Sequence, residues 1–352
     1  MKKILFISRA KSGDRSAYTH RLEKLRSGLE KFGFLTDTLY LGDTSRTAHT
    51  LIPIYIPELA RVFKQYDFLH AGGTPCAWVA DLCKSFHHRK VIYDIHGDRI
   101  GEILQEGGMV PLLKTFLHEM VATCFSDLYI TVCNPLKQLY IRRGIPPQRI
   151  AIVRNGVDLS QFRPAPSVRH KQNRIFAYAG KFQWYQAVED LVEAMLSIRS
   201  SHVQCEIIGF SEEDREIKTR IQKIAGHKIL LIDQLNREAL IRRLQNADVL
   251  VIPRRSTRAT VYAFPTKFAE YIALAKPVLV SHVDETAQFV QRFSCGMVYG
   301  EGPEALRNAM EEMSNASDET LHVMGQQGRK LAEAVFDWDI ICKQYANFLM
   351  QW

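Results

Sequence analysis

No apolar run in this chain approaches the roughly 20 residues that a membrane-spanning helix needs. Cysteine is sparse and unclustered. Cys76, Cys83, Cys124, Cys133, Cys205, Cys295 and Cys342 are scattered through apolar segments without a C-x-x-C pair. That pattern excludes a disulfide framework or zinc site and reads as buried, reduced thiols of a cytosolic protein. The opening Ile4–Ile7 run is too short for a secretory leader and lacks a cleavage site, so a cytoplasmic location is expected. Glycine is also missing where a dinucleotide would need it. Ser8 to Ser16 holds Gly13 alone, whereas a dinucleotide-dependent oxidoreductase would carry G-x-G-x-x-G there. The formal net charge is +8, yet no stretch interleaves dense Lys/Arg with aromatics, so nucleic acid is not indicated. No histidine or carboxylate cluster reads as a metal site, and no metal or resident cofactor is expected.

What is present is a globular composition, 46% apolar and 24% charged over 352 residues, a length that suggests two domains. Short apolar runs alternate with stretches of helical period. Strands are predicted at Ile4–Ser8, Thr38–Leu41, Phe68–Ala71, Val91–Ile95, Leu128–Val132 and Ile150–Val153. Between the first two, Tyr18, Leu22, Leu25, Leu29 and Phe32 mark one helix face, and Leu112–Phe125 reads as another helix. A polar joint with Pro164 and Pro166 interrupts the pattern around Arg163 to Asn173. Beyond it, strands are predicted at Ile175–Ala179, Gln204–Ile208, Ile229–Ile232, Val249–Ile252, Val278–Ser281 and Met297–Tyr299. The expected architecture is α/β: two facing, Rossmann-like, doubly wound domains over 1–168 and 169–335. The substrate cleft would lie between their strand ends. The apolar stripe of Phe336 to Trp352 either caps the second domain or crosses back to the first.

The strongest local signal runs from Phe264 to Val280. Pro265 suits a first helical turn, and the helix is expected to reach about Ala275. Lys267 and Glu270, three apart, share a face of its first two turns. Free amides at that helix start attract phosphate; Lys267 adds a cation, and Glu270 is placed to accept from a ribose diol. The same spacing also describes a solvated ion pair of no function, so spacing alone leaves both readings open.

This segment resembles the Pro-x-Lys-x-x-Glu-Tyr-x-Ala-x-Gly-Lys-Pro-Val run of retaining GT-B glycosyltransferases of family 4. Further pieces are similar, in order: Val153-Arg-Asn-Gly-Val-Asp158 with Phe162-Arg-Pro164, Tyr178-Ala-Gly-Lys181, and Met324-Gly-Gln-Gln-Gly-Arg329 followed by Phe336-Asp-Trp338. The resemblance implies a GT-B fold, with the last helix returning to the first domain. It also implies hexose transfer from a nucleoside diphosphate sugar, UDP or GDP foremost, to a glycan, lipid-linked or small-molecule acceptor, as in cell-surface polysaccharide, glycolipid or glycoside synthesis. Retention of configuration is supplied by the resemblance alone.

Carried over by the resemblance, Glu270 is the ribose ligand and Lys267 a diphosphate contact. His96, after a predicted strand, matches the residue that meets the donor hexose, and Gly180 and Lys181 match the family's Gly-Arg. The family's second cation, in Lys-Gly, falls on Gln186 and Ala187, so Arg254, Arg255 or Arg258 is asked to replace it. Tyr262 stands eight positions before Glu270, where the family usually has glutamate. Gly13 lies in the loop used near the donor phosphate, and Asp98 and Arg15 are weaker acceptor candidates. The pairs Arg142-Arg143, Arg242-Arg243 and Arg254-Arg255 are candidates for loose contact with an anionic membrane at the inner face. Rival readings are a non-hydrolysing nucleotide-sugar epimerase of the same shape, for which no extra acid/base carboxylates are found, and a binding module that has lost catalysis.

Overall fold

The computed structural model describes residues 1–14, 16–43, 57–106, 109–165 and 173–352. By internal contacts the chain forms two units: unit 1 is Met1–Asn155 with Trp338–Trp352, and unit 2 is Gly156–Asp337. Arg15 and most of the proline-containing joint lie outside the described residues.

Unit 1 carries one six-stranded sheet: β1 Lys3–Ser8, β2 Leu35–Tyr40, β3 Phe68–Gly72, β4 Lys90–Ile95, β5 Leu128–Thr131 and β6 Ile150–Ile152. All pairings are parallel, in the order β2-β1-β3-β4-β5-β6. Unit 2 repeats the plan with β7 Arg174–Ala179, β8 Val203–Phe210, β9 Ile229–Asp233, β10 Val249–Ile252, β11 Val278–Ser281 and β12 Gly296–Tyr299. Its order is β12-β11-β10-β7-β8-β9, again all parallel. Helices on both faces explain why the central strands are nearly continuous apolar runs, such as the fully buried Val249–Ile252. In each sheet the strand order reverses once, between β1 and β3 and between β7 and β10. At such a point the loops leaving the carboxyl ends diverge and open a crevice.

Each predicted strand is present, with ends shifted by a few residues. The terminal helix, Trp338–Met350, buries Trp338, Ile341, Cys342, Tyr345 and Leu349 against Ile4, Phe6, Leu25 and Leu29 of unit 1. At the closest approach a side chain on Gly28 would collide with Cys342. Two expectations need correction. Six of the seven free cysteines are buried, but Cys124 is exposed. Pro265 stands before the helix as its N-cap, with extended backbone, and the helix itself runs Thr266–Ala273.

Candidate active site

Three segments meet at the reversal point of unit 2. They are the loop leaving β7, the loop leaving β10, and the helix Thr266–Ala273. Tyr271 ties the helix to the strand end: its hydroxyl accepts from the Ala179 N–H at 2.8 Å and faces the Ala179 carbonyl at 3.3 Å. Gly180 follows with φ of 149°, a conformation that L side chains avoid. Space forbids a side chain there as well, because a Cβ on Gly180 would stand 2.7 Å from Lys267 Nζ. Glycine at 180 therefore makes room for the Lys267 ammonium.

That ammonium lies over the Tyr178 ring, 4.1 Å from its centroid, and donates to Gln186 Oε1 at 3.3 Å. Burial pushes the Lys267 pKa down, the Arg254 charge lowers it further, and Glu270 raises it partway, leaving about 7. Lys267 therefore gives up its proton more readily than an exposed lysine. Burial pushes Glu270 upward, with Arg237 and Lys267 opposing. Arg237 reaches Glu270 Oε1 at 3.5 Å while lying over Phe162 and donating to Gln161 at 2.9 Å. Arg237 and the Tyr178 and Tyr271 rings are participants that sequence reasoning missed. Arg237 is 33 residues from Glu270, and no local spacing announces such a pair.

Lys181 is exposed, and its backbone carbonyl accepts from the Tyr178 hydroxyl. Arg254 is committed elsewhere: 6% exposed, it forms a buried ion pair with Asp284, whose other oxygen caps the helix Glu285–Phe293. Arg255 grips Asp190 through two nitrogens. The loop holding them is closed by a buried Thr257–Thr260 capping box, and Tyr262 ends the short helix Arg258–Val261. Gln186 sits in a one-turn helix that ends on Ala187 in the left-handed region, φ 47°. Ala275 does the same at φ 54°. Both alanines stand where the resembling family carries glycine, so the backbone turn persists without the residue that adopts it most cheaply.

In unit 1 the loop leaving β1 contains Gly13, exposed and with φ of 82°. His96 follows β4, one-third exposed, its Nε2 3.3 Å from Asp94 Oδ2 and its ring edge-on to Tyr18. Asp94 is buried and also meets Arg21 at 3.2 and 3.3 Å and His70 Nε2 at 3.3 Å. Burial alone would raise the Asp94 carboxyl, but Arg21, His96 and His70 together hold it well below the usual carboxylate range. Burial keeps His70 below the ordinary imidazole value, hence neutral at pH 7. Its single proton then faces Asp94, and Nδ1 accepts from Tyr345 of the terminal helix at 2.8 Å. Arg21 further donates to the carbonyls of Val153 and Arg154. Asp98, expected near the acceptor, is instead fully buried and paired with Arg143 at 2.7 Å. Of the arginine pairs expected to touch lipid, Arg242 lies beside Glu238 and Arg243 beside Glu206, at the surface.

Two family models match: Glycosyltransferase Family 4 over residues 40–161 and Glycosyl transferases group 1 over 161–331. The uncharacterized glycosyltransferase MJ1607 of Methanocaldococcus jannaschii is 23% identical over 301 residues, which are 80% of this chain and 75% of that one. Among solved structures, sucrose-phosphate synthase from Thermosynechococcus elongatus aligns with TM-score 0.77 at 19% identity, covering 100% of this chain and 99% of that one. HepE of Anabaena, in complex with UDP-glucose, aligns with TM-score 0.77 at 16% identity over 100% of both chains. The paired parallel sheets, their reversal points and these matches together make the chain a member of the GT-B glycosyltransferases of group 1, family 4 type.

Proposed function

We propose that the chain moves a hexose from a nucleoside diphosphate sugar to an acceptor hydroxyl with retained anomeric configuration, in the making of a surface polysaccharide, glycolipid or glycoside. The observation that carries this reading is the placement of Lys267 and Glu270 on the first two turns of one helix beside Gly180, at the reversal point of unit 2. The amides of that turn and the Lys267 ammonium receive the diphosphate, and Glu270 accepts from the ribose diol. Lys181, on the loop beside them, adds a second cation; Arg254 lends field strength from within its ion pair. As the bond from the sugar carbon to the phosphate oxygen breaks, negative charge grows on the diphosphate, where fixed cations and amides are most effective. The acceptor oxygen bonds the same carbon, and its proton passes to the departing phosphate. His96 of unit 1 contacts hexose hydroxyls, oriented by Asp94. The chain's own cations carry the leaving-group charge, so EDTA should leave the rate unchanged.

UDP is the first nucleotide to test, since HepE of Anabaena is held with UDP-glucose. Thermal shifts with UDP, GDP, ADP and their sugars should show selective stabilisation by one base. Glu270→Ala should abolish that selectivity while the protein stays folded. An unchanged shift in Glu270→Ala removes the ribose assignment. Nucleotide binding without release of nucleoside diphosphate from any sugar donor would favour a binding module over an enzyme.

A further inference from the structure

The two ring nitrogens of His96 stand in different surroundings. Nε2 is buried, has no partner in full hydrogen-bond geometry among the described residues, and lies 3.3 Å from Asp94 Oδ2. Two more donors meet that same oxygen at 3.3 Å, Arg21 Nε and His70 Nε2. Arg21 also reaches Oδ1 through a second nitrogen at 3.2 Å. His70 is fixed in turn: its ring lies 4.4 Å from that of Phe6, and its Nδ1 accepts from the Tyr345 hydroxyl at 2.8 Å. Burial and the Asp94 charge push the Tyr345 pKa up, so this hydroxyl keeps its hydrogen and remains the donor. Asp94 is thus held by three side chains, with its charge met by Arg21.

A lone pair on His96 Nε2 would point at a buried carboxylate and be repelled, strongly so where the surroundings are of low polarity. The hydrogen therefore sits on Nε2, and the neutral imidazole has its lone pair on Nδ1. Among the described residues none bonds Nδ1, and the ring is one-third exposed at the carboxyl end of β4. We propose that Asp94, steadied by Arg21 and by the Tyr345–His70 pair, is a positioning residue that locks His96 as the Nε2–H tautomer, so that Nδ1 accepts a hydrogen bond from a hydroxyl of the transferred sugar. The sugar contact rests on the transferase reading; the tautomer is a property of the free protein. A demand on the substrate follows. Nδ1 takes a hydroxyl, which can donate, and rejects at that position a carboxylate or carbonyl, which can only accept. The transferred sugar accordingly bears a hydroxyl where it faces His96. An analogue lacking that one hydroxyl is strongly discriminated against, as at any site built to bond it.

The test is nitrogen-15 NMR of the histidine-labelled protein at pH 8, with the His96 ring assigned by its loss in His96→Asn. The long-range ring couplings should show the Nε2–H tautomer alone. A dominant Nδ1–H form, an imidazolium, or exchange between the two tautomers overturns the proposal, whatever the activity of the protein. In Asp94→Asn the amide can turn either end to Nε2, so the Nδ1–H form should appear. A folded Asp94→Asn protein that keeps the Nε2–H form alone overturns the role given to Asp94. Titration of the wild type reads the sugar contact. UDP-glucose or UDP-galactose should move the Nδ1 signal and leave Nε2 nearly in place, whereas UDP alone should move neither. Movement of Nε2 in place of Nδ1, or of neither while both UDP-sugars bind, overturns the acceptor role. Failure of UDP and of both UDP-sugars to bind would count against the transferase reading and leave the tautomer standing.

Discussion

The two units share a sheet plan but differ in how the polar groups near their strand ends are engaged. In unit 1 several are tied into networks. Arg21, Asp94, His70 and Tyr345 satisfy one another across 324 residues of chain, Asp98 is sealed with Arg143, and Glu119 takes three hydroxyls. Unit 2 holds, at a helix start, a lysine whose pKa burial lowers and a glutamate whose pKa burial raises. Burying ionisable groups against only partial compensation is costly, and active sites are where such costs are tolerated. The comparison teaches that polar residues at the mouth of a sheet divide by what already occupies them. By that criterion Asp98 and Arg254 are held in ion pairs within the protein, and Lys267 and Glu270 are the candidates for chemistry.

The largest expected effect breaks the closed side. Asp94→Asn leaves Arg21, 3% exposed, without its carboxylate and should cost about 3–5 kcal/mol of unfolding free energy, read by urea denaturation. Because the folded Asp94 carboxyl is depressed, this stability is present above its unfolded pKa and fades as pH falls through the folded one. A loss under 1 kcal/mol at pH 7 would show that the network contributes little.

On the open side, Lys267→Met should lower turnover about a hundredfold. It should also raise the melting temperature of the ligand-free protein at pH 6. The sign follows from the depressed pKa: the folded state binds fewer protons than the unfolded state between about 7 and the ordinary lysine value, so below that window the full cost of holding a buried ammonium is present. A lower melting temperature in the variant would place Lys267 with the scaffold. The smallest effect sharpens the backbone comparison. Ala187→Gly and Ala275→Gly, each at a left-handed position, should stabilise by up to about 1 kcal/mol, measured by the shift in urea midpoint.

Much of the fold was legible because alternation of short apolar runs with helical periods survives any detail of packing. The Lys267–Glu270 pair was legible because three residues on a helix fix a shared face. Other features depend on distances in space. Along the chain Arg254 reads as available, yet Asp284, 30 positions on, pairs with it in the fold, and Asp98 reads as open, yet Arg143 closes it. Leu112–Phe125 was legible as a helix, but its period is silent on what covers each face. Leu113 and Phe116 of this helix are exposed.

The most direct measurement is calorimetric titration of UDP at pH 8 in buffers of different ionisation enthalpy. With Lys267 near 7 in the free protein and charged beside the diphosphate, binding should take up close to one proton, and the uptake should vanish in Lys267→Met. Tight binding with no proton uptake in the wild type, or equal uptake in the variant, would contradict a site in which that ammonium holds the phosphates.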